Sequence, residues 1–130
     1  VANGSGKRKR AVARATVREG KGLVRINSML LNNYNPKLLR MRILEPLIIA
    51  GELAKKVDVS VNVYGGGISS QSEASRLAIA RALVDYSKDK SLREKYLSYD
   101  RHLVVADIRH TEASKPNDSK PRAKRQKSYR

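Results

Sequence analysis

The sequence predicts an α+β protein, because segments with the two-residue period of a strand alternate with segments of strong helix formers. Val59, Val61 and Val63 alternate with polar residues, as in a half-buried strand. Residues 71–86 are rich in alanine and leucine and predict a long helix. Residues 103–108 predict a last strand, and the unbroken apolar run at 103–106 suggests a central place for it in the sheet.

The first part of the chain predicts two more strands. Residues 1–6 are small and polar, and we expect them to be loose unless a partner orders them. Residues 11–18 predict a strand whose small-residue face packs tightly against a helix and whose other face is edged with arginine. Residues 19–22 predict a hairpin turn, and residues 23–27 predict the strand that returns from it.

The predicted helices begin at recognisable signals. Asn35 is expected to cap a helix that has Pro36 at its first position. Pro46 is expected to kink that helix or to divide it into two short ones. Two capping boxes are predicted at the later helix starts, formed by Ser70 with Glu73 and by Ser91 with Glu94.

The charge distribution indicates a polyanionic partner. The 130 residues include 28 Lys+Arg and 12 Asp+Glu, for a net charge of +16, which favours nucleic acid or an anionic membrane surface. We expect no membrane-spanning segment and no signal peptide. Residues 1–18 hold six basic residues and no acid, and residues 108–130 hold eight basic and two acidic residues. A nearly balanced centre with two basic ends is typical of a domain whose extensions bind nucleic acid.

Both basic ends also have a simpler interpretation. Arg14 and Arg18 fit a solvated sheet face, but the basic cluster at 7–10 directly before them favours a phosphate-facing surface. Residues 115–130 have almost nothing apolar to bury, so we expect them to be disordered alone and to gain shape on a negatively charged partner. A solubility or targeting tail is the alternative.

The sequence predicts neither an enzyme nor a cofactor. It contains no cysteine, which excludes disulfides and thiolate metal sites. His102 and His110 lack the spacing of a helical zinc pair, and the carboxylates are scattered singly. The glycines at 65–67 match neither a P-loop nor a dinucleotide fingerprint, so a tight turn or a close approach to RNA is favoured. A phosphate-handling enzyme built on this loop stays as an alternative.

Several stretches of the chain, taken in order, resemble the universal small-subunit ribosomal protein nine family. The terminal stretch at 126–130 and Leu-Leu-Arg-Met at 38–41 resemble its archaeal and eukaryotic branch, and we expect an archaeal member. The matching stretches are Gly-Lys-Arg-Lys-Arg-Ala-Val-Ala-Arg-Ala at 6–15, the glycines at 65–67 with Gln71, Ala-Ile-Ala-Arg-Ala-Leu at 78–83, Tyr-Asp-Arg at 99–101 and Gln-Lys-Ser-Tyr-Arg at 126–130.

The resemblance implies a two-layer sheet backed by helices, like the second domain of small-subunit ribosomal protein five, with a left-handed crossover and an extended basic tail. We expect a flexible N-terminus at 1–6, a globular RNA-binding domain at 7–110 and a tail at 111–130. The resemblance also implies a cytoplasmic, ribosome-bound protein of the subunit head. Its implied partners are small-subunit ribosomal RNA (rRNA), neighbouring head proteins and tRNA in the peptidyl site. A free-standing nucleic-acid binder that uses the same basic ends is the alternative.

The expected binding residues belong to the matched stretches and to the basic clusters; no catalytic or metal-binding residue is expected. Ribosomal RNA is expected to be bound by Lys7, Arg8, Lys9, Arg10, Arg14, Gly65, Gly66, Gly67, Gln71, Arg109, Lys115, Lys120, Arg122, Lys124 and Arg125. The resemblance implies that tRNA is contacted by Lys127, Ser128, Tyr129 and Arg130.

Overall fold

A computed structural model of the protein describes residues 1–117, 120–123, 125–126 and 128–129. It is an α+β structure, as the sequence predicts, with one mixed five-stranded sheet and four α-helices in the described residues. The strands are β1 (Ala2–Arg8), β2 (Ala11–Glu19), β3 (Val24–Ile26), β4 (Met29–Leu30) and β5 (Val57–Tyr64). The helices are α1 (Lys37–Ala50), α2 (Glu52–Lys55), α3 (Ile68–Ser87) and α4 (Lys90–Tyr99).

The sheet has the strand order β1-β2-β5-β3-β4, so the valine-rich strand β5 is central. It pairs antiparallel with β2 on one side and parallel with β3 on the other. The predicted hairpin between β2 and β3 is therefore wrong. Asp58 gives the physical reason: its Oδ1 accepts the backbone N–H groups of Lys21, Gly22 and Leu23 at 2.8, 3.1 and 3.0 Å. These bonds hold the connection across the start of β5, and the chain continues on the far side of it.

The core lies between the sheet and the helices α1 and α3. The small-residue face predicted for β2 is buried, and α3 packs across β1 and β2 while α1 packs beside α3. The opposite face of the sheet is exposed at Arg14, Arg18, Ser60 and Asn62. Alternation along β2 and β5 thus divides the sheet into an apolar inner face and a polar outer face.

The expectation of a loose start is wrong, because residues 2–8 form the edge strand β1. This strand pairs along its length with β2, with Gly6 opposite Ala13. Gly4 and Gly6 have no side chain, so the strand lies directly against the backbone of α3. Small residues, which suggest a flexible segment in sequence, here permit close packing.

The predicted last strand is also wrong. Residues 101–103 form a 3-10 turn, and residues 104–108 are irregular. Leu103 and Val104 are nonetheless buried in the core, and Arg81 Nε of α3 donates to the carbonyl oxygen of Val104 at 3.0 Å. Leu103 and Val104 are thus buried by packing against the helices instead of entering the sheet, whereas Ile108 is exposed.

The predicted helix starts are displaced by a few residues. The N-cap of α1 is Pro36 and not Asn35, and the helix runs through Pro46 as one element. The helix α4 is capped by Asp89, whose carboxylate accepts the N–H of Ser91 at 2.8 Å, so the predicted box with Glu94 is wrong. Since Asp89 lies two residues before Ser91, it reaches the first free amides of the helix directly.

The box predicted at α3 is wrong as well. The helix begins at Ile68 after an N-cap at Gly67, which forms no side-chain cap. Glu73 instead accepts a hydrogen bond from Arg8. Among the helices of the described residues, none combines the length and the apolar character that a membrane crossing requires.

Candidate nucleic-acid interface

The glycine loop and the basic β1–β2 turn meet at one end of the sheet. Gly65 and Gly66 have φ angles of 75° and 62°, which side chains rarely permit. A Cβ on Gly65 would lie 2.5 Å from the carbonyl oxygen of Arg10. The loop therefore packs on the backbone of the turn, while the side chains of Lys9 and Arg10 remain exposed.

Gln71 has a role within this end of the sheet. Its side-chain Nε2 donates to the carbonyl oxygen of Gly65 at 3.1 Å, and its backbone N–H donates to that of Gly67 at 2.9 Å. The amide group thus ties the first turn of α3 to the glycine loop. Gly67 itself has open space around it, with nothing within 4 Å of a Cβ built there.

The exposed sheet face continues from this end as a polar and basic surface. Arg14 lies between Ser5 of β1 and Asn62 of β5 in the strand register. Lys7 and Tyr64 flank Val12 in the next row toward the glycine loop, and Tyr64 is 58% exposed. A cation between hydrogen-bonding side chains, with an aromatic ring nearby, suits contact with phosphates and bases.

Arg8 differs from its basic neighbours because its side chain is only 12% exposed. Its Nε donates to Glu73 Oε2 at 2.7 Å, and its Nη1 lies 3.4 Å from Asp107 Oδ2. Asp107 in turn binds Arg109, whose Nη2 donates to Oδ2 at 2.7 Å. Hydrogen bonds from Arg109 hold the pKa of the Asp107 carboxyl well below its usual range. The guanidinium of Arg8 is therefore directed at carboxylates, whereas that of Arg109 is 78% exposed.

The described part of the basic tail is exposed. Arg122 Nε donates to Glu112 Oε2 at 2.8 Å, and both side chains of this pair are largely solvent-accessible. Tyr129 is 88% exposed. The exposed predicted residues are Lys115, Lys120, Arg122, Arg125, Ser128 and Tyr129. The predictions for Lys124, Lys127 and Arg130 fall outside the described residues.

The sequence-based reasoning missed the acidic partners of these cations. The spacing of Ser70 and Glu73 predicts a capping box, but Glu73 pairs with Arg8 and also with Arg42 Nη1, at 3.3 Å. The apolar residues beside Asp107 predict a strand and give no sign of its ion pairs. The one available signal was the spacing of Asp107 and Arg109, an acid two residues before a base at the boundary of a basic segment.

The remaining titratable clusters give no sign of a metal centre. Across the described ranges, no group of three or more His, Asp or Glu side chains is arranged to hold a metal ion. The Nδ1 of His102 lies 3.4 Å from the carbonyl oxygen of Val105, and His110 is exposed.

Comparison with known proteins agrees with these features. The family model described as ribosomal protein S9/S16 matches residues 6–130. The small ribosomal subunit protein uS9 of Methanococcus maripaludis, in strains C7, S2 and C5, is 51% identical over 127 residues. Each alignment covers 96% of this chain and 95% of the archaeal relative. The match includes the glycine loop, the basic turn and the tail. The chain belongs to the ribosomal protein S9/S16 family.

Proposed function

We propose that the protein is a non-enzymatic, structural constituent of the small ribosomal subunit, cytoplasmic and ribosome-bound, with rRNA and neighbouring ribosomal proteins as partners. The observation that carries this proposal is the basic turn packed on the glycine loop, joined to the family membership. The turn is cationic and exposed, the glycine loop packs against its backbone, and it lies at the end of a polar sheet face. A surface of this kind suits a nucleic-acid strand.

The proposed rRNA interface consists of this end of the sheet, the adjoining outer face and the tail. Lys7, Lys9, Arg10 and Arg14 would neutralise phosphates, and each contact releases condensed counterions. Gly67 would let an RNA backbone approach, since the space beside its Cβ position is open. Gly65 and Gly66 would contribute exposed backbone, because the basic turn occupies the space where their side chains would lie. Gln71 would act by holding the glycine loop in place. Arg8 would act by holding the segment that leads into the tail, and not by binding phosphate.

The proposal for the tail is more specific. We propose that residues 111–130 extend from a globular RNA-binding domain, and that Lys127, Ser128, Tyr129 and Arg130 contact tRNA in the peptidyl site. Its composition offers phosphate-binding cations together with one aromatic ring at Tyr129. We also propose that the domain resembles the second domain of small-subunit ribosomal protein five and has a left-handed crossover.

Two experiments test these proposals separately. The first is sedimentation of the tagged chain with native small subunits in a high-salt sucrose gradient. Cosedimentation is expected, whereas recovery only in the soluble fractions would favour a free-standing nucleic-acid binder. The second deletes residues 128–130 and measures tRNA affinity at the peptidyl site of assembled subunits. We expect weaker tRNA binding, and unchanged affinity would contradict the tail proposal while leaving the rRNA proposal intact.

A further inference from the structure

The segment from Asp107 to Arg109, which leads into the basic tail at 111–130 and is called the tail root here, is joined to strand β1 by a chain of charged groups. Arg8 lies in β1, which is fixed by pairing with β2 and by packing on α3. Its Nη1 lies 3.4 Å both from Asp107 Oδ2 and from the carbonyl oxygen of Arg109, and its Nε contacts Glu73 of α3. One guanidinium thus contacts the rigid domain on one side and the backbone of the tail root on the other.

This group of contacts differs from an ordinary surface ion pair. The side chains of Arg8 and Asp107 are 12% and 13% exposed, so solvent screens them weakly. Asp107 Oδ1 also accepts the backbone N–H of Arg109 at 3.1 Å, which closes a tight turn over residues 107–109. By contrast, Arg122 and Glu112 form an exposed pair within the tail, of the kind that contributes little.

We propose that Arg8 and Asp107 are positioning residues that fix where, and in which direction, the basic tail leaves the domain. This inference rests on the proposed function of the tail in binding tRNA. A segment of about 20 residues can extend roughly 70 Å, so its tip can sweep a large volume if its root is free. Fixing the root confines the tip and raises its effective concentration at one site without adding any contact there.

The geometry also explains why these two side chains are needed together. Removing the carboxylate of Asp107 leaves Arg8 bound to Glu73 on the domain side, and only the 3.4 Å contact with the carbonyl oxygen of Arg109 then joins it to the root. A lysine in place of Arg8 keeps the charge but carries its N–H groups on a single nitrogen, which cannot occupy both the Nε position beside Glu73 and the Nη1 position beside Asp107. The structure therefore predicts that charge alone does not substitute for the two-sided guanidinium.

The experiment measures the position of the tail root in the full chain. Because the sequence has no cysteine, two introduced cysteines at Ser60 and Ser114 can be spin-labelled specifically, and their distance distribution measured by pulsed electron resonance. We expect a narrow distribution in the parent chain and one at least about twice as wide in Asp107→Asn. The matched control is Glu112→Gln, which removes the same charge from an exposed pair and should leave the distribution unchanged. Arg8→Lys should also broaden it, and circular dichroism checks that each variant is folded.

Two outcomes would overturn the proposal. One is a distribution in Asp107→Asn or Arg8→Lys that is no wider than that of the parent chain, and the other is equal broadening in Glu112→Gln. The same variants in assembled subunits then test the link to tRNA, where Asp107→Asn should weaken peptidyl-site binding several-fold and Glu112→Gln should not. Broadening with unchanged tRNA binding would support the anchored root and count against the tail's proposed contact with tRNA.

Discussion

Gly4 of β1 lies so close to Ala78 of α3 that a Cβ on Gly4 would stand 2.5 Å from the carbonyl oxygen of Ala78. The backbone N of Ala82 would be equally near. The inner face of β1 is therefore shaped by glycine on the strand and by alanine on the helix. This contact explains why a segment with little hydrophobic content belongs to the folded domain.

A methyl group at Gly4 should destabilise the fold. We expect Gly4→Ala to lower the free energy of unfolding by about 1–3 kcal/mol, because the obstacles are backbone atoms that cannot rotate away. Urea unfolding followed by circular dichroism measures this. Ser5→Ala is the control, since Ser5 is the next residue of the same strand and its side chain is exposed. Equal stability of the two variants would contradict the close packing of β1 on α3.

Tyr96 joins α4 to α1 through one buried hydrogen bond. Its hydroxyl donates to the carbonyl oxygen of Pro46 at 2.8 Å, and burial raises the pKa of this hydroxyl. Tyr96→Phe should cost about 1–2 kcal/mol of unfolding free energy through loss of that bond. Tyr99→Phe, at a position 60% exposed, should be nearly neutral in the same denaturation assay. A neutral Tyr96→Phe would mean that the bond contributes nothing to stability.

The stabilisation that Asp58 gives to the turn over the start of β5 should decrease in acid. Hydrogen bonds from three backbone N–H groups hold the pKa of the Asp58 carboxyl below its usual range. The largest effect comes from the N–H of Leu23, and the charge of Arg25 adds a smaller one. Arg18 is its partner across the β2 register. Because the folded-state pKa is depressed, the stabilisation is present above the unfolded-state pKa and is lost as pH falls through the folded one. Asp58→Ala should therefore differ most from the parent chain in thermal stability near neutral pH, and the difference should shrink in acid. A constant difference would argue against a charge effect.

The basic turn should contribute counterion release, whereas Arg8 should not. Removing one phosphate-contacting cation lowers the slope of log affinity against log salt by about one unit. We expect this for Lys9→Ala and for Arg10→Ala with a transcript of small-subunit rRNA. Lys90→Ala, at the start of α4, is the matched control for lost charge. A reduced slope for Arg8→Ala, equal to that for Lys9→Ala, would mean that Arg8 also contacts phosphate.

Local periodicity predicted the centre of this fold well. The alternation of Val59, Val61 and Val63, the three glycines after them and the long helix are all present as expected. The place of β3 was not predictable by the same means. A turn sequence indicates that the chain reverses, but the choice of neighbour depends on Asp58, which lies about 35 residues away and binds the turn. Hydrogen bonds between residues so far apart in the chain do not appear in the local periodicity of the sequence.

Part of the candidate interface was also predictable from the local sequence. Clustered cations and glycines are visible in sequence, and the family resemblance gave them a role. Which cations remain free depends on the folded partners: Lys9 is exposed, while its neighbour Arg8 is paired with Glu73. The apolar residues at 103–106 predict burial, but hydrophobicity does not specify which layer of the fold provides it, so the predicted strand at 103–108 does not form.

The strand order has a consequence for synthesis of the protein. The strand at the middle of the sheet is the last of the five to be made, and the helix that covers the opening strand follows it. A nascent chain halted before Val57 would have the two outer pairs of strands and nothing to join them. Collapse must then wait for the second half of translation, and the opening residues, already out of the tunnel, would remain accessible to chaperones or RNA until that time.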